Sequence, residues 1–338
     1  MYISIHWLRG LSAIFVLYYH VLHKMNSIYG WDFYKFGAIG VDIFFIISGF
    51  VISSSFYKNR TSAVKFLENR FFRVIPIYWF LTTCALIVYL IRPDLVNRSS
   101  NVGTSVLSSY TLIPDGGVML LSVAWTLTYE MYFYTIFALS IFVSGVFLKR
   151  NQERIISVLL ISLIFVCANL FDVGNTFSNP IVFEFIFGVV VFEILGKNKY
   201  FINKVVSAFL LVLALLTYVA FNFYFEINNR LWYFGIPALL LFVSFLSLES
   251  LLERGESLIA KILNIIGDAS YSIYLSHLFI IAAVMLFMDK FVSSSAVAFS
   301  ICMIFCIYGG CVCHYLIEVP LTKKIKYFYS KNKKYILK

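Results

Sequence analysis

The chain has 338 residues, 61% of them hydrophobic and only 13% charged, and a formal net charge of +10. A soluble domain carries about 25% charged residues to wet its surface, so 36 Phe and 23 Tyr against 17 acidic residues exclude a soluble globular protein. Nucleic acid is not the partner that the charge suggests, because seven lysines and no acid are concentrated in residues 322–338, behind an apolar run. That arrangement meets anionic lipid headgroups.

The composition is that of an all-α polytopic membrane protein. Cysteines 84, 167, 302, 306, 311 and 313 all sit in apolar runs, where they act as small hydrophobes. No His or carboxylate cage accompanies them, so no metal site is expected. A crossing helix needs about 20 mostly apolar residues. Ten candidate spans follow, at roughly 5–24, 37–57, 71–91, 119–147, 155–171, 179–195, 204–223, 231–249, 269–288 and 294–318. Ionisable side chains inside them are costly and normally face a cavity or a partner.

The first span holds Arg9 and His20 and has no small-x-small cleavage site, so it reads as an uncleaved membrane helix. Eleven residues at 100° each end about 20° past three full turns, which places Arg9 and His20 on one stripe about 16 Å apart. Two readings are open. Arg9 snorkels to the inner headgroups and His20 sits near the outer interface, or the pair marks a polar path with a proton-transfer group at one end.

The second span begins Gly40-Val-Asp-Ile-Phe-Phe, with Asp42 entering near the level of His20. Asp42 either orients the imidazole, as the acid of a hydrolase triad does, or complements the helix dipole. Ser48-Gly49 permits close helix packing. At the start of the third span, Arg70 and Arg73 share a face. Two guanidinium groups there either grip a phosphorylated ligand or supply ordinary cytoplasmic flanking charge.

The fourth span is long enough to tilt or break, and places Glu130 near mid-depth in Trp125-Thr-Leu-Thr-Tyr-Glu130. Trp125 and the nearby tyrosines wall a sugar site or simply pack. In the ninth span, His277 is a second polar group at mid-depth, either catalytic or a hydrogen-bonded packing histidine. Glu184 and His314 are assigned structural roles, and Glu318, two residues before Pro320, a helix-end role.

With the N-terminus in the cytoplasm, twenty Lys and Arg fall in inside segments and six outside. The positive-inside rule therefore puts both termini in the cytoplasm.

Taken in order, these motifs resemble the acyltransferase-3 family of bacterial membrane acyltransferases. The resemblance rests on Arg9-x10-His20, Gly-Val-Asp42-Ile-Phe-Phe with Ser-Gly-Phe50, and Arg70-x-x-Arg73 running to Pro76-x-Tyr78. It continues through Trp125-Thr-Leu-Thr-x-Glu130, Ser270-Tyr-Ser-Ile-Tyr-Leu-Ser-His277 and Glu318-x-Pro320. The sequence departs from the usual fourth-helix pattern at Thr128 and Met131.

The resemblance implies an O-acyltransferase in the bacterial inner membrane. Residues 1–322 would form one ten-helix transmembrane domain, and 323–338 a basic cytoplasmic tail. Acyl-CoA, commonly acetyl-CoA, would be a co-substrate rather than a resident cofactor. The acceptor would be a glycan hydroxyl of O-antigen, capsule or a lipid-linked sugar. His20 is implied as base or acyl acceptor, with Asp42 and Glu130 as further catalytic candidates. Arg9, Arg70 and Arg73 are donor-binding candidates, and Trp125 and His277 a second polar site. The rival readings are a flippase or transporter of a lipid-linked sugar, which also uses intramembrane His and carboxylates, and an acyltransferase acting on a small molecule.

Overall fold

The computed structural model describes residues 2–31, 35–97, 100, 102–147, 152–174, 176–196, 204–223, 229–252, 257–291 and 294–336. Three helices open the chain, α1 (Ile3–Tyr29), α2 (Ile39–Lys58) and α3 (Ala63–Ile91). The connection after them holds a short helix, α4 (Val106–Thr111), and a parallel pair of two-residue strands, β1 (Thr104–Ser105) and β2 (Val118–Met119). The remaining helices are α5 (Trp125–Phe147), α6 (Glu153–Leu170), α7 (Val182–Val191), α8 (Lys204–Phe223), α9 (Ile236–Ser247), α10 (Glu249–Leu252), α11 (Leu258–Phe291), α12 (Ser295–Cys313) and α13 (Val319–Ile336).

Among the described residues, eight helices are long and apolar enough to cross a membrane. The stretch Leu231–Ser247 is a shorter apolar helix, and α7 continues through a π turn, Phe192–Gly196. The helices alternate in direction. At one end, called here the N-terminal face, the Tyr2 hydroxyl donates to the Gly196 carbonyl (2.8 Å), and Glu249 accepts from the Ile3 and Ser4 backbone N–H groups (2.9 and 2.8 Å). At the opposite face, Trp31 Nε1 donates to Ser295 Oγ (3.2 Å).

Several element boundaries differ from the expected spans for physical reasons. α3 begins at Ala63 rather than near 71, because Ser62 caps it by accepting the Lys65 N–H (3.3 Å). Its first two turns are polar, so they lie outside an apolar window. Arg70 and Arg73 are thus well inside the helix rather than at its start. The expected fourth span does break: β2 and a 3-10 turn, Ser122–Ala124, precede α5, which starts at Trp125. α11 begins eleven residues before the expected 269, and the last span continues through a π turn, His314–Glu318, into α13.

The π turns Leu231–Gly235 and His314–Glu318 each precede a proline, Pro237 and Pro320. A proline inside a helix lacks its N–H and clashes with the carbonyl four residues back; the widened turn removes that clash. Among the cations used for the charge bias, Arg98, Lys149, Arg150, Lys197, Lys199, Arg254 and Lys338 lie outside the described residues.

The largest core cluster joins α2, α3, α5 and α7 around Tyr78, Phe133, Phe137 and Phe185. α2 and α7 approach at Gly49 and Gly188, where a methyl group on either would enter the other helix's backbone. Small residues at such crossings let helices pack closely in lipid. Leu90, Ile91, Phe142, Leu163 and Leu216 are exposed on the bundle's outside, which is the expected surface towards acyl chains.

Candidate active site

The polar residues inside the bundle gather in three groups. The first is a cavity of about 140 Å³ bounded by α1, α2, α3, α5 and α11. Arg9, Arg70, Arg73 and Glu130 all line it, together with Ser48, Tyr134, Tyr271 and Tyr274. The structure thus brings together the three expected donor-binding arginines and one of the expected catalytic acids.

Each of these side chains is held by a local feature. Arg9 Nη2 donates to the Gly267 carbonyl on α11 (2.7 Å). Arg70 lies over the Phe66 and Tyr134 rings, 5.6 and 5.9 Å from their centroids. Arg73 Nη1 is 4.0 Å from Glu318 Oε1, while Glu318 Oε2 accepts from Ser272 Oγ (2.7 Å) and His314 Nδ1 (2.8 Å). Glu318 therefore ties α12–α13 to α11 and to the cavity's rim, a larger role than the helix-end one expected. Glu130 accepts from the Tyr134 hydroxyl and from Ser48 Oγ (3.5 Å). Tyr271 donates to the Val74 carbonyl (3.0 Å).

Arg9 Nε and Arg70 Nε are buried and have no hydrogen-bond partner among the described residues. Unpaired buried donors are costly. A cavity with three guanidinium groups and one carboxylate is therefore chemically suited to an anion.

The second group is the histidine pair. The rings of His20 and His277 lie 4.9 Å apart at a 42° tilt, and Tyr19 meets His20 edge-on at 5.1 Å. His277 Nδ1 is 2.6 Å from the Tyr274 carbonyl. A carbonyl only accepts, so Nδ1 carries the proton and Nε2 of the neutral ring is a bare acceptor. That buried Nε2 has no protein partner. His20 is not among the residues lining the cavity. Tyr274 connects the two groups: its side chain lines the cavity and its carbonyl fixes His277. Its hydroxyl contacts Thr126 Oγ1 (2.8 Å) and donates to the Val123 carbonyl (2.9 Å).

The third group surrounds Asp42, which is fully buried. Arg230 donates to it through Nε (3.0 Å) and Nη2 (2.7 Å), and Nη2 also reaches the Ala38 carbonyl (3.2 Å). The carboxyl of Glu184 adjoins them. The expected contact of Asp42 with His20 is replaced by this ion pair, since both carboxylate oxygens are occupied by one guanidinium. Trp125 belongs here too: Arg230 lies 5.8 Å over its ring and 5.2 Å over that of Phe234.

Sequence reasoning missed Arg230, Tyr134 and Tyr274. Tyr134 stands four residues after Glu130 and was recoverable from helical spacing. Arg230 carried no such signal, because its partner is 188 residues away.

The chain is also similar to known proteins. The Acyltransferase domain family (Acyl_transf_3) matches residues 2–316. The exopolysaccharide production protein ExoZ of Rhizobium meliloti (strain 1021) is 32% identical over 263 residues, covering 74% of this chain and 78% of the relative. Protein 2 in picA locus of Rhizobium radiobacter is 27% identical over 161 residues, covering 40% of this chain and 81% of the relative. No solved structure matches. The family match spans nearly the whole chain and all three polar groups, and the protein is a multi-pass membrane member of the Acyltransferase domain family.

Proposed function

We propose that the protein moves an acyl group, acetyl in the simplest case, from acyl-CoA to a hydroxyl of a surface exopolysaccharide. The observation that carries the reading is the cavity inside the membrane bundle, where Arg9, Arg70 and Arg73 outnumber the carboxylates of Glu130 in the lining and Glu318 at the rim. Lipid-buried charge of one sign needs a counter-charge, and the diphosphate of CoA supplies it. The glycan class follows the name of the ExoZ relative.

In this reading the N-terminal face is cytoplasmic in the bacterial inner membrane, which the twenty-to-six distribution of cations supports. Acyl-CoA enters from that face, and the glycan, free or lipid-linked, arrives from the other. His20 takes the proton of the acceptor hydroxyl as its oxygen attacks the thioester carbon. The carbon–sulfur bond breaks, the ester forms, and the proton is returned to the departing CoA thiolate. His277 stands behind His20 with its tautomer fixed, and Glu130 lies on the donor side. Asp42 and Trp125 flank the acceptor's entry.

The test is the purified protein in nanodiscs, given acetyl-CoA and the host's exopolysaccharide. Release of free CoA thiol that depends on the polysaccharide, with new O-acetyl esters on it, is the expected result. Absence of thioester turnover, with movement of a lipid-linked sugar across the bilayer instead, would replace the reading with a flippase.

A further inference from the structure

A second recess, of about 200 Å³, opens beside the cavity where α2 turns into α3. Its character differs from that of the cavity. Asn59, Thr61 and Asn69 supply uncharged polar groups, and the buried rings of Phe56 and Phe66 close its floor. The side chains of Asn59, Thr61 and Asn69 make no hydrogen bond among the described residues. Arg70 lines both the recess and the cavity, so its guanidinium stands at their junction with Nε unpaired.

Three chemistries therefore follow one another from the N-terminal face inward: neutral polar groups, then the Arg70 cation, then a cavity whose wall is largely apolar apart from Arg9, Arg73, Glu130 and its hydroxyl groups. CoA presents three chemistries in the same order, a purine nucleoside, a diphosphate and a long uncharged pantetheine arm. An asparagine amide matches the donor and acceptor on the adenine edge, and a guanidinium fork matches phosphate oxygens. We propose that this recess is the adenosine subsite, with Asn59 and Asn69 reading the base and Arg70 taking the diphosphate at the threshold. The proposal rests on acyl-CoA being the donor. It adds an orientation and a discrimination: the enzyme selects the nucleoside end of its donor, rather than any acylated pantetheine.

The experiment measures binding of CoA and of 4′-phosphopantetheine, which keeps the arm and one phosphate but lacks the nucleoside. The protein is the full chain in nanodiscs, as wild type and as Asn59→Ala/Asn69→Ala. Both asparagines are exposed and unbonded, so the substitutions leave the fold intact, which thermal unfolding verifies. The wild type should prefer CoA, and adenosine 3′,5′-bisphosphate should compete with it. The double variant should bind CoA about tenfold more weakly, from the loss of two or more ligand hydrogen bonds, with 4′-phosphopantetheine binding unchanged.

An unchanged CoA affinity in the variant, or an equal loss for both ligands, would remove the subsite while leaving CoA as donor. A wild type that binds no CoA would overturn the donor reading and this subsite with it.

Discussion

His277 presents a buried, proton-free Nε2 beside the ring of His20, because its other nitrogen is fixed on the carbonyl of Tyr274 (2.6 Å). Two roles are thereby separable by substitution. His20→Ala should lower exopolysaccharide acylation by about 10² to 10⁴ with normal protein abundance in the membrane. His277→Asn keeps a donor for the Tyr274 carbonyl but removes Nε2. It should give a smaller loss and a displaced pH–rate profile. Acylation assayed in membranes from a strain lacking the native gene checks both. Near wild-type rates for inserted His20→Ala would move the base to Glu130 or His277.

Arg70→Ala with Arg73→Ala should weaken CoA binding without preventing insertion, because Arg70 makes no ion pair among the described residues and the half-exposed Arg73 meets Glu318 only at 4.0 Å. Lysine at either site should rescue only partly, since a point charge lacks the fork that matches two phosphate oxygens. Equilibrium CoA binding reads the outcome, and an unchanged affinity would take the pair out of the donor site.

Asp42→Ala should act on stability before chemistry. It strands Arg230 in a site shaped for the pair, and breaking a buried pair costs about 3 to 5 kcal/mol. Thermal unfolding in nanodiscs should show a marked fall in Tm, with Asp42→Asn/Arg230→Gln recovering part of it. A fully stable but inactive Asp42→Ala would instead make the carboxylate a participant in catalysis.

The crossing of α2 and α7 predicts a folding defect without any catalytic residue being touched. Gly188→Val places three extra carbons where the Ile46 carbonyl and the Gly49 backbone already lie. The variant should fail to accumulate, while Gly145→Ala, at a site with open space around it, should accumulate normally. Immunoblots of the membrane fraction decide it.

A cysteine introduced by Lys331→Cys should resist membrane-impermeant maleimide applied to intact cells and react once the inner face is exposed. Labelling from outside would reverse the assigned orientation.

The architecture was largely legible because its governing signal is coarse. Runs of about 20 apolar residues persist wherever lipid is the solvent, and eight of the ten expected spans fall on helices long and apolar enough to cross a membrane among the described residues. The first turns of α3, which carry Lys65, Glu68 and Asn69, were invisible to that signal, whereas the length of the fourth span did announce the break that falls before α5, behind the strand pair of the 92–124 connection. In the site, Arg9, Arg70, Arg73 and Glu130 stood out because charge in an apolar run is conspicuous. Their convergence on one cavity was not readable, since it is set by how five helices pack. Asp42 shows the limit most clearly. Matching its depth to His20 gave a plausible neighbour, yet the neighbour is Arg230, a residue that resembled an ordinary loop cation.

The position of Tyr274 has an energetic consequence for the cell as well as for the enzyme. A bundle that joined its arginine cavity to its histidine pair by continuous water would let protons run down the membrane gradient through an imidazole relay. It would also expose a waiting thioester to hydrolysis. The aromatic ring at that junction, its hydroxyl already engaged by Thr126 and Val123, breaks the wire. If acyl transfer runs through this junction as proposed, an opening wide enough for the acyl chain has to be filled by that chain, or each turnover would dissipate part of the proton-motive force.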